Sequence, residues 1–336
     1  MKYTIYILSL FSLLLLCACS TVHGLQLNTM RAAKVEYHVL HPSVTVVNNS
    51  EVPDGSSYSR YIDENGKRYK LSYIADSVPT FFTMSLASRL SERNFFERVE
   101  ALLLDSADVS GVNGVSDEMR KDWALYDPDV VNVVVNEIKP RAMMQIETME
   151  GFFGAEMLLM TSAQIDCFVP GQDVARFAVT DTLAWYAYGD SPQMARADLP
   201  AFELCLEEAL SSLSMRVADY LTPHERVVER YIFVTGHAAM DDAYRYWSNR
   251  QYEEASWIWE YVYKNARDKG RKGKAAANLA VYYEIEDNYT EAVKYAREAR
   301  SLFVEERYVS ETEYISAYCK DLEQRIEEER ALDALY

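Results

Sequence analysis

The chain has 336 residues, 49% of them hydrophobic and 26% charged, which is the composition of a globular protein with room for two domains. Its net charge of -18 repels phosphate backbones and therefore argues against nucleic acid as a partner. Gly and Pro are sparse, so the composition does not predict a long disordered arm.

The amino-terminal residues have the pattern of a secretion signal. Lys2 is followed by an apolar run to Leu16, which is shorter than the roughly 20 residues of a membrane span. The next residues, Leu16-Cys17-Ala18-Cys19, resemble the bacterial lipobox. The resemblance implies that residues 1–18 are a lipoprotein signal peptide and that Cys19 becomes the acylated terminus. A Cys-x-Cys redox or metal site would need folded surroundings, which a signal segment lacks.

The residue after Cys19 indicates to which membrane the lipoprotein is sent. Ser20 resembles the residue of lipoproteins sent to the outer membrane, whereas Asp is common in those retained at the inner membrane. We therefore expect a lipid-anchored outer-membrane protein, with several acyl chains making the anchor effectively permanent. No acidic cluster follows, which favours the periplasmic face; the cell surface is the alternative. Residues 19–31 are expected to be a tether.

From residue 32 the sequence predicts both strands and helices. "SVTVVNNS" indicates a strand that ends in a turn, and Asn65-Gly66 between two tyrosine-bearing segments indicates a hairpin. Ser77 and Pro79 open a predicted helix through "TFFTMSLASRLSE". "FFERVEALLLD" resumes a short strand, and "SDEMRKDWALY" indicates a second helix.

The remainder of this region is dominated by long strands. "VVNVVVNEI" is typical of a strand that is covered on both faces. Two extended segments around Gly171 predict long antiparallel strands, and residues 199–221 predict an amphipathic helix before the strand "RVVERYIFV". Because strands and helices do not alternate strictly, we predict an α+β fold, with a mixed sheet domain over residues 32–236.

From Ala238 strands are no longer predicted and an internal repeat appears. Tyr252-Glu253-Glu254-Ala255 aligns with Tyr289-Thr290-Glu291-Ala292. The pattern resembles the tetratricopeptide repeat, although Ala239 and Ala276 stand where that motif often has Trp. The resemblance implies an all-α stack of two repeats over residues 237–309 and a capping helix over residues 310–336. The residues expected to pack the repeats are Ala243, Tyr252, Ala255, Ala280, Tyr289 and Ala292.

Aromatic residues in the repeats are the main candidates for binding. Tetratricopeptide units bind extended peptides on the face formed by their first helices. The resemblance therefore implies Tyr246 and Tyr283 as groove residues, and Trp247 and Trp257 are further partner-binding candidates. The alternative is that these rings only fill the core of the repeats.

The histidines and cysteines do not form a recognisable site. His38 and His41 lie three apart on a predicted strand, so they face opposite sides and do not share a metal ion. His224 lacks the second His of a zinc-protease helix. The mature chain keeps three further cysteines, which leaves open one disulfide or three buried thiols; they are Cys167, Cys205 and Cys319.

Like the histidines and cysteines, the carboxylates do not form a recognisable catalytic site. Asp127 and Asp129 flank a proline, and an Asp-Pro turn explains them. Asp181 has no nucleophile or base at a fixed spacing from it. We expect neither enzymatic activity nor a metal or cofactor.

The lipobox, "AAKVEYHVLHPSVTVVNNS", "LTPHERVVERYIF" and the carboxy-terminal repeats together resemble an uncharacterised lipoprotein family of Gram-negative gut anaerobes. The resemblance covers nearly the whole mature chain and implies an origin in the cell envelope but no mechanism. Our first hypothesis is a non-enzymatic adaptor whose repeats bind an envelope protein. The alternative is a glycan or peptide capture lipoprotein of an outer-membrane uptake system. A third, weaker hypothesis is a hydrolase that uses Asp127, Asp129 and Asp181.

Overall fold

The structure is a computed structural model that describes residues 22–38, 42–50, 58–62, 68–72, 77–102, 130–234 and 237–333. Several predictions fall outside these ranges: the signal peptide, Cys19, His41, the helix at "SDEMRKDWALY", and Asp127 and Asp129. The described chain divides into two compact units. We call residues 32–224 the sheet unit, and residues 22–31 together with those from 225 onward the helical unit.

The elements are taken in chain order. The strands are β1 (Val22–Arg31), β2 (Ser43–Asn48), β3 (Tyr58–Ile62), β4 (Arg68–Ser72), β5 (Val99–Leu102), β6 (Val130–Met149), β7 (Phe152–Phe168), β8 (Ala175–Gly189) and β9 (His224–Phe233). The helices are α1 (Ser77–Glu92), α2 (Pro192–Ala197), α3 (Phe202–Leu221), α4 (Ala238–Ser248), α5 (Tyr252–Asn265), α6 (Lys269–Ile285), α7 (Tyr289–Glu306) and α8 (Val309–Asp333). This mixture confirms the predicted α+β class.

The sheet unit is built on a five-stranded mixed sheet in the order β5-β2-β6-β7-β8. β2 runs parallel to β5 and β6, whereas β6, β7 and β8 form an antiparallel meander. The sequence predicts the β7–β8 pair of this meander but not the pairing of β6 with β7. The register shifts between Val135 and Glu137, so the residues of β6 after this bulge change face. β3 and β4 form the predicted hairpin, whose turn lies outside the described residues.

Two long helices cover one face of this sheet. α1 buries Phe82, Leu86 and Leu90, which recur every four residues and so share one side of the helix. Every second residue of β7 from Ala155 to Cys167 is also buried, because side chains alternate between the two faces of a strand. The first six residues of β6 are all buried, as predicted for a strand covered on both faces.

The helical unit is a stack in which each of α4 to α8 packs against the next helix along the chain. Trp259 and Phe303 are fully buried in its core. Small residues lie where neighbouring helices approach: Ala243, Ala255, Ala280 and Ala292 are fully buried. Of the other residues expected to pack the repeats, Tyr289 is buried and Tyr252 half-buried. None of the helices in the described ranges is long and apolar enough to cross a membrane.

The amino-terminal part of the described chain differs from the prediction. A tether was expected at residues 19–31, but residues 22–31 form β1, which pairs with β9. The Cβ of an alanine at Gly24 would touch Glu229, and Thr29 donates a hydrogen bond to the carbonyl of Arg226, so the two strands run in opposite directions. β9 thus belongs with the helical unit, whereas the sequence placed it in the domain ending at residue 236. The partners are about 200 residues apart, and local patterns cannot reveal such a pairing.

Candidate functional site

The β1–β9 ribbon lies along the first helix of each helical hairpin, which is the face expected to bind an extended peptide. On α6, the side-chain amide of Asn278 accepts a hydrogen bond from the backbone N–H of Phe233 at 2.7 Å. The same amide donates to the carbonyl of Phe233 at 2.8 Å. On α8, the hydroxyl of Tyr314 accepts from the backbone N–H of Tyr231. Both backbone groups of Phe233 are therefore satisfied by a buried side chain, as they would be by a neighbouring strand.

A buried charge network holds the same ribbon to α6 and α8. Arg230 of β9 donates two hydrogen bonds to the carboxylate of Glu284, at 2.7 and 2.8 Å, and a third to Asp321. Arg31 of β1 also donates to Asp321, at 2.6 Å. The hydroxyl of Tyr318 donates to Glu284 at 2.6 Å, and the guanidinium of Arg230 lies 4.5 Å from the centre of that ring. Removing one member of such a network is costly, because the oppositely charged partner is then left buried without a counter-charge.

The network shifts proton affinities in opposite directions. Burial acts to lower the pKa of Arg230, but the hydrogen bonds and charge of Glu284 outweigh it and raise that pKa. Burial acts to raise the pKa of Asp321, yet Arg230 and Arg31 together bring it below its usual value. Burial, and then the charge of Glu284, raise the pKa of Tyr318 well above its usual value. Arg230 and Asp321 therefore stay charged at neutral pH, and Tyr318 stays a neutral donor.

The four predicted partner-binding aromatics do not lie together on this face. Trp247 is only 6% exposed and packs against Tyr252 and Trp259, with ring centroids 4.6 and 5.1 Å apart. Tyr283 is half-buried and stacks on Tyr295, with centroids 5.4 Å apart and planes 5° apart. Both rings fill space between helices. Trp247 is therefore buried rather than presented to a partner, which corrects its assignment as a binding residue. The half-buried Tyr283 stays a prediction for the groove.

The other two predicted aromatics are exposed. Tyr246 on α4 is exposed, and Trp257 on α5 is 59% exposed. Tyr261 belongs to the same set of repeat aromatics but is not among the four residues singled out from the sequence; it is 62% exposed and lies one helical turn after Trp257. The sequence does show that Tyr261 follows Trp257 by four residues, which places both rings on the same side of a helix. Trp257 and Tyr261 therefore share one exposed side of α5.

A second surface lies on the side of the sheet that α1 and α3 do not cover. After the bulge in β6, outward-facing residues of β6, β7 and β8 pair in register across the three strands. One row is Met143, Leu158 and Ala184, and the next is Arg141, Met160 and Thr182. We call the outward residues of this meander from Arg141 onward the open face: Arg141, Met143, Gln145, Glu147, Met149, Phe152, Gly154, Glu156, Leu158, Met160, Thr182, Ala184, Tyr186 and Tyr188.

The aromatic end of the open face is the most exposed. Tyr186 and Tyr188 are 63% and 59% exposed, and the ring of Tyr188 meets Phe152 edge-on at 5.8 Å. A hydrogen bond from Tyr186 to Glu156, and the charge of that carboxylate, raise the pKa of Tyr186. Gln145, Glu147 and Glu156 lie in the same rows as the two tyrosines, so the open face combines exposed aromatic and apolar groups with polar ones. Exposed aromatic and apolar groups on one face mark an interaction surface when they are not covered.

The residues considered for catalysis have structural partners. Asp181 is buried and accepts a hydrogen bond from Ser212 at 2.5 Å while pairing with Arg216 at 2.7 Å. His224 begins β9, with Nδ1 placed 3.2 Å from the carbonyl of Thr222. The contacts of Asp181 join α3 to the sheet, and that of His224 is local to the residues that follow α3.

Cys167, Cys205 and Cys319 are buried free thiols rather than members of a disulfide. Burial raises the pKa of Cys167 to about 12 and that of Cys205 to about 11, which keeps both thiols protonated. In the part of the chain that the structure describes, no group of three His, Cys, Asp or Glu residues is placed to hold a metal ion.

Two families match the chain, one in each half. The family described as Domain of unknown function (DUF8603) matches residues 42–233, and Domain of unknown function (DUF6340) matches residues 241–324. Since the first match spans more than half of the sequence, the chain belongs to the DUF8603 family. The second match corresponds to the helices from α4 into α8. Comparison with curated proteins finds no match.

Solved structures with partial likeness include bacterial lipoproteins. A minor lipoprotein from Acinetobacter baumannii is similar over 53% of this chain and 91% of its own, at 8% identity and a TM-score of 0.27. Rare lipoprotein B from Shewanella oneidensis is similar over 52% of this chain and 88% of its own, at 12% identity and a TM-score of 0.25. A protein from Xanthomonas campestris is similar over 57% of this chain and 90% of its own, at 10% identity and a TM-score of 0.23. Likeness at these low TM-scores carries no conclusion about the function of this chain.

Proposed function

We propose that this chain is a non-enzymatic adaptor of the bacterial cell envelope, anchored by lipid at Cys19, with tetratricopeptide-like hairpins in its helical unit. The face of the first helices, which the sequence assigned to a partner, is filled by β1 and β9 of the same chain. A partner protein therefore binds elsewhere, and we assign it to the open face of the sheet unit. The observation that carries this proposal is the exposure of Tyr186, Tyr188 and Met143 on one continuous surface.

The composition of the open face supports a protein partner. Tyrosine, methionine and arginine are enriched at the buried centres of protein interfaces, and the open face combines Arg141 with methionines and tyrosines. Its backbone belongs to a regular antiparallel meander, so the side chains are held in fixed rows. A rigid surface loses little conformational entropy on binding. Exposed aromatic rings such as Tyr186 supply the anchor residues on which binding energy concentrates.

The test is site-specific photo-crosslinking in whole cells. A benzoylphenylalanine in place of Met143 should give one discrete adduct with a single envelope protein. The matched control places the same group at Met215, an equally exposed methionine on α3, which packs on the opposite side of the sheet. The proposal fails if position 143 gives no adduct, or if both positions give the same adducts.

Capture of a glycan or peptide is the second candidate, and the exposed Tyr186 and Tyr188 favour it as stacking platforms. Trp185 suits this role less well, because its ring is half-buried and its Nε1 donates to Glu208 at 3.1 Å. Glycan-array binding that is lost in Tyr186→Ala and kept in Trp185→Phe would support capture. The absence of any bound glycan would leave the adaptor proposal in place.

The anchor is tested separately. Mass spectrometry of the protein from its natural host should find an acylated Cys19 as the first residue of the mature chain. The Cys19→Ser variant should be released from membranes into the soluble fraction. An unmodified cysteine on a membrane-free protein would contradict the proposal.

A further inference from the structure

A stripe of exposed side chains runs along the side of α5 that faces away from the core. Trp257, Tyr261 and Lys264 follow one another at spacings of four and three residues, so they share one face of the helix. The opposite side of α5 carries the buried Ala255 and Trp259. Large aromatic side chains in this position cost solubility unless a further surface covers them.

Basic residues follow the stripe from the last turn of α5 into the first turns of α6, where Lys272 and Lys274 lie over the rings of Tyr263 and Tyr308. Six lie within residues 264–274: Lys264, Arg267, Lys269, Arg271, Lys272 and Lys274. Residues 237–274 together contain eight basic and six acidic residues, a net charge of +2 in a chain whose total is -18. Lys264 and Lys269 also pair with Glu260 and Glu305 in exposed ion pairs, which are weak. A positive region in an acidic protein is suited to an anionic surface.

The distance along the chain from Cys19 places this region near the membrane. β1 begins at Val22, and three residues of chain reach at most about 11 Å. The ring of His23 stacks on Tyr244 of α4, with centroids 4.2 Å and planes 15° apart. α4 in turn packs against α5. An acylated Cys19 would therefore hold the first hairpin of the stack within a short reach of the bilayer surface.

We propose that Trp257, Tyr261 and the basic residues between Lys264 and Lys274 lie on the anionic headgroup layer of the membrane that holds Cys19. Trp and Tyr are enriched at membrane–water interfaces, because an apolar ring with a polar edge suits that layer. A cluster of four to eight Lys and Arg residues beside an anchor is attracted to anionic lipid. This inference rests on the proposed lipid anchor and extends it to a defined protein surface.

The test uses the acylated full-length protein reconstituted in vesicles of phosphatidylethanolamine and phosphatidylglycerol, with and without bromine on the acyl chains. Bromine quenches tryptophan fluorescence only at short range. The wild type should lose emission in brominated vesicles, and the Trp257→Phe variant should lose none. The Trp185→Phe variant, altered in the sheet unit, should be quenched like the wild type.

Flotation of the vesicles distinguishes a failure of the lipid anchor from a failure of the contact between α5 and the membrane. Protein that floats without any quenching, or with equal quenching in Trp257→Phe, would overturn the membrane contact while leaving the anchor intact. Protein that does not float would overturn both the anchor and the contact. Quenching that disappears in vesicles without phosphatidylglycerol would support the role of the basic residues.

Discussion

The side-chain amide of Asn278 binds both backbone groups of Phe233, with its oxygen 2.7 Å from the N–H and its nitrogen 2.8 Å from the carbonyl oxygen. Asn278 is fully buried in the middle of α6, and Phe233 ends β9. A helix of the stack thereby holds a strand of the same chain in the position predicted for a bound peptide. The β1–β9 ribbon is therefore part of the folded core of the helical unit, to which β9 contributes Ile232 and Phe233.

Asn278→Ala should destabilise the helical unit by roughly 2–4 kcal/mol. The change leaves the N–H and carbonyl of Phe233 buried without a partner, and each such group costs about 1–3 kcal/mol. Urea unfolding followed by tryptophan fluorescence measures the effect. Asn265→Ala, which removes only an exposed hydrogen bond to the carbonyl of Tyr261, is the matched control and should change stability little. Equal stability of the two variants would contradict the role of Asn278.

Arg230→Ala should be more damaging than the loss of the same charge at the surface. The carboxylate of Glu284 would remain almost fully buried without its partner, at a cost of about 3–5 kcal/mol. Replacing both residues, in Arg230→Leu with Glu284→Leu, should recover part of the loss, because it removes the buried charges together. A double-mutant cycle in urea, built from Arg230→Leu, Glu284→Leu and the double variant, measures the coupling. Arg245→Ala, at an exposed ion pair on α4, serves as the control. Additive effects of the two single changes would show that the pair is not coupled.

The helical unit should lose stability in acid in part through Asp321. Its pKa is below the usual value in the folded protein, so the carboxylate contributes stability that is present above about pH 4 and lost as the pH falls through the folded pKa. Asp321→Asn should lower stability at pH 7 and flatten the dependence between about pH 5 and 2. The exposed Asp242→Asn serves as a comparison. Parallel pH curves for wild type and Asp321→Asn would refute this assignment.

The three described cysteines should resist thiol reagents in the native protein. Cys167, Cys205 and Cys319 are buried, and burial raises the pKa of each thiol. Because the thiolate is the reactive form, alkylation should be slow until the protein unfolds, and then all three should react. Mass spectrometry after iodoacetamide treatment, with and without urea, measures this. Rapid labelling of any one under native conditions would show that its site opens.

Much of the sheet unit could be predicted because its signals are local. Alternating burial in β7 and β8, the Asn65-Gly66 pair between β3 and β4, and the four-residue spacing of Phe82, Leu86 and Leu90 each lie within a short window. β1 was missed because its sequence is only weakly apolar. It is stabilised by pairing with β9 and by packing of Val22 and Leu25 on the helical core.

The binding surface was harder to predict because helical spacing does not show which face a partner covers. Trp247 and Trp257 are both aromatic residues in the first hairpin, yet one is buried against Trp259 and the other is exposed. Only the arrangement of the neighbouring helices separates them. A buried polar residue between alanine and leucine, Asn278, was the one local sign that the first-helix face already had an occupant.

Hydrogen–deuterium exchange of residues 22–31 tests the central structural claim most directly. If β1 is paired with β9 on the helical stack, amides in its centre should be protected by several orders of magnitude and should exchange together with those of β9. A flexible tether after Cys19 would exchange at the rate of an unstructured peptide. That result would contradict both the ribbon and the close approach of the helical unit to the membrane.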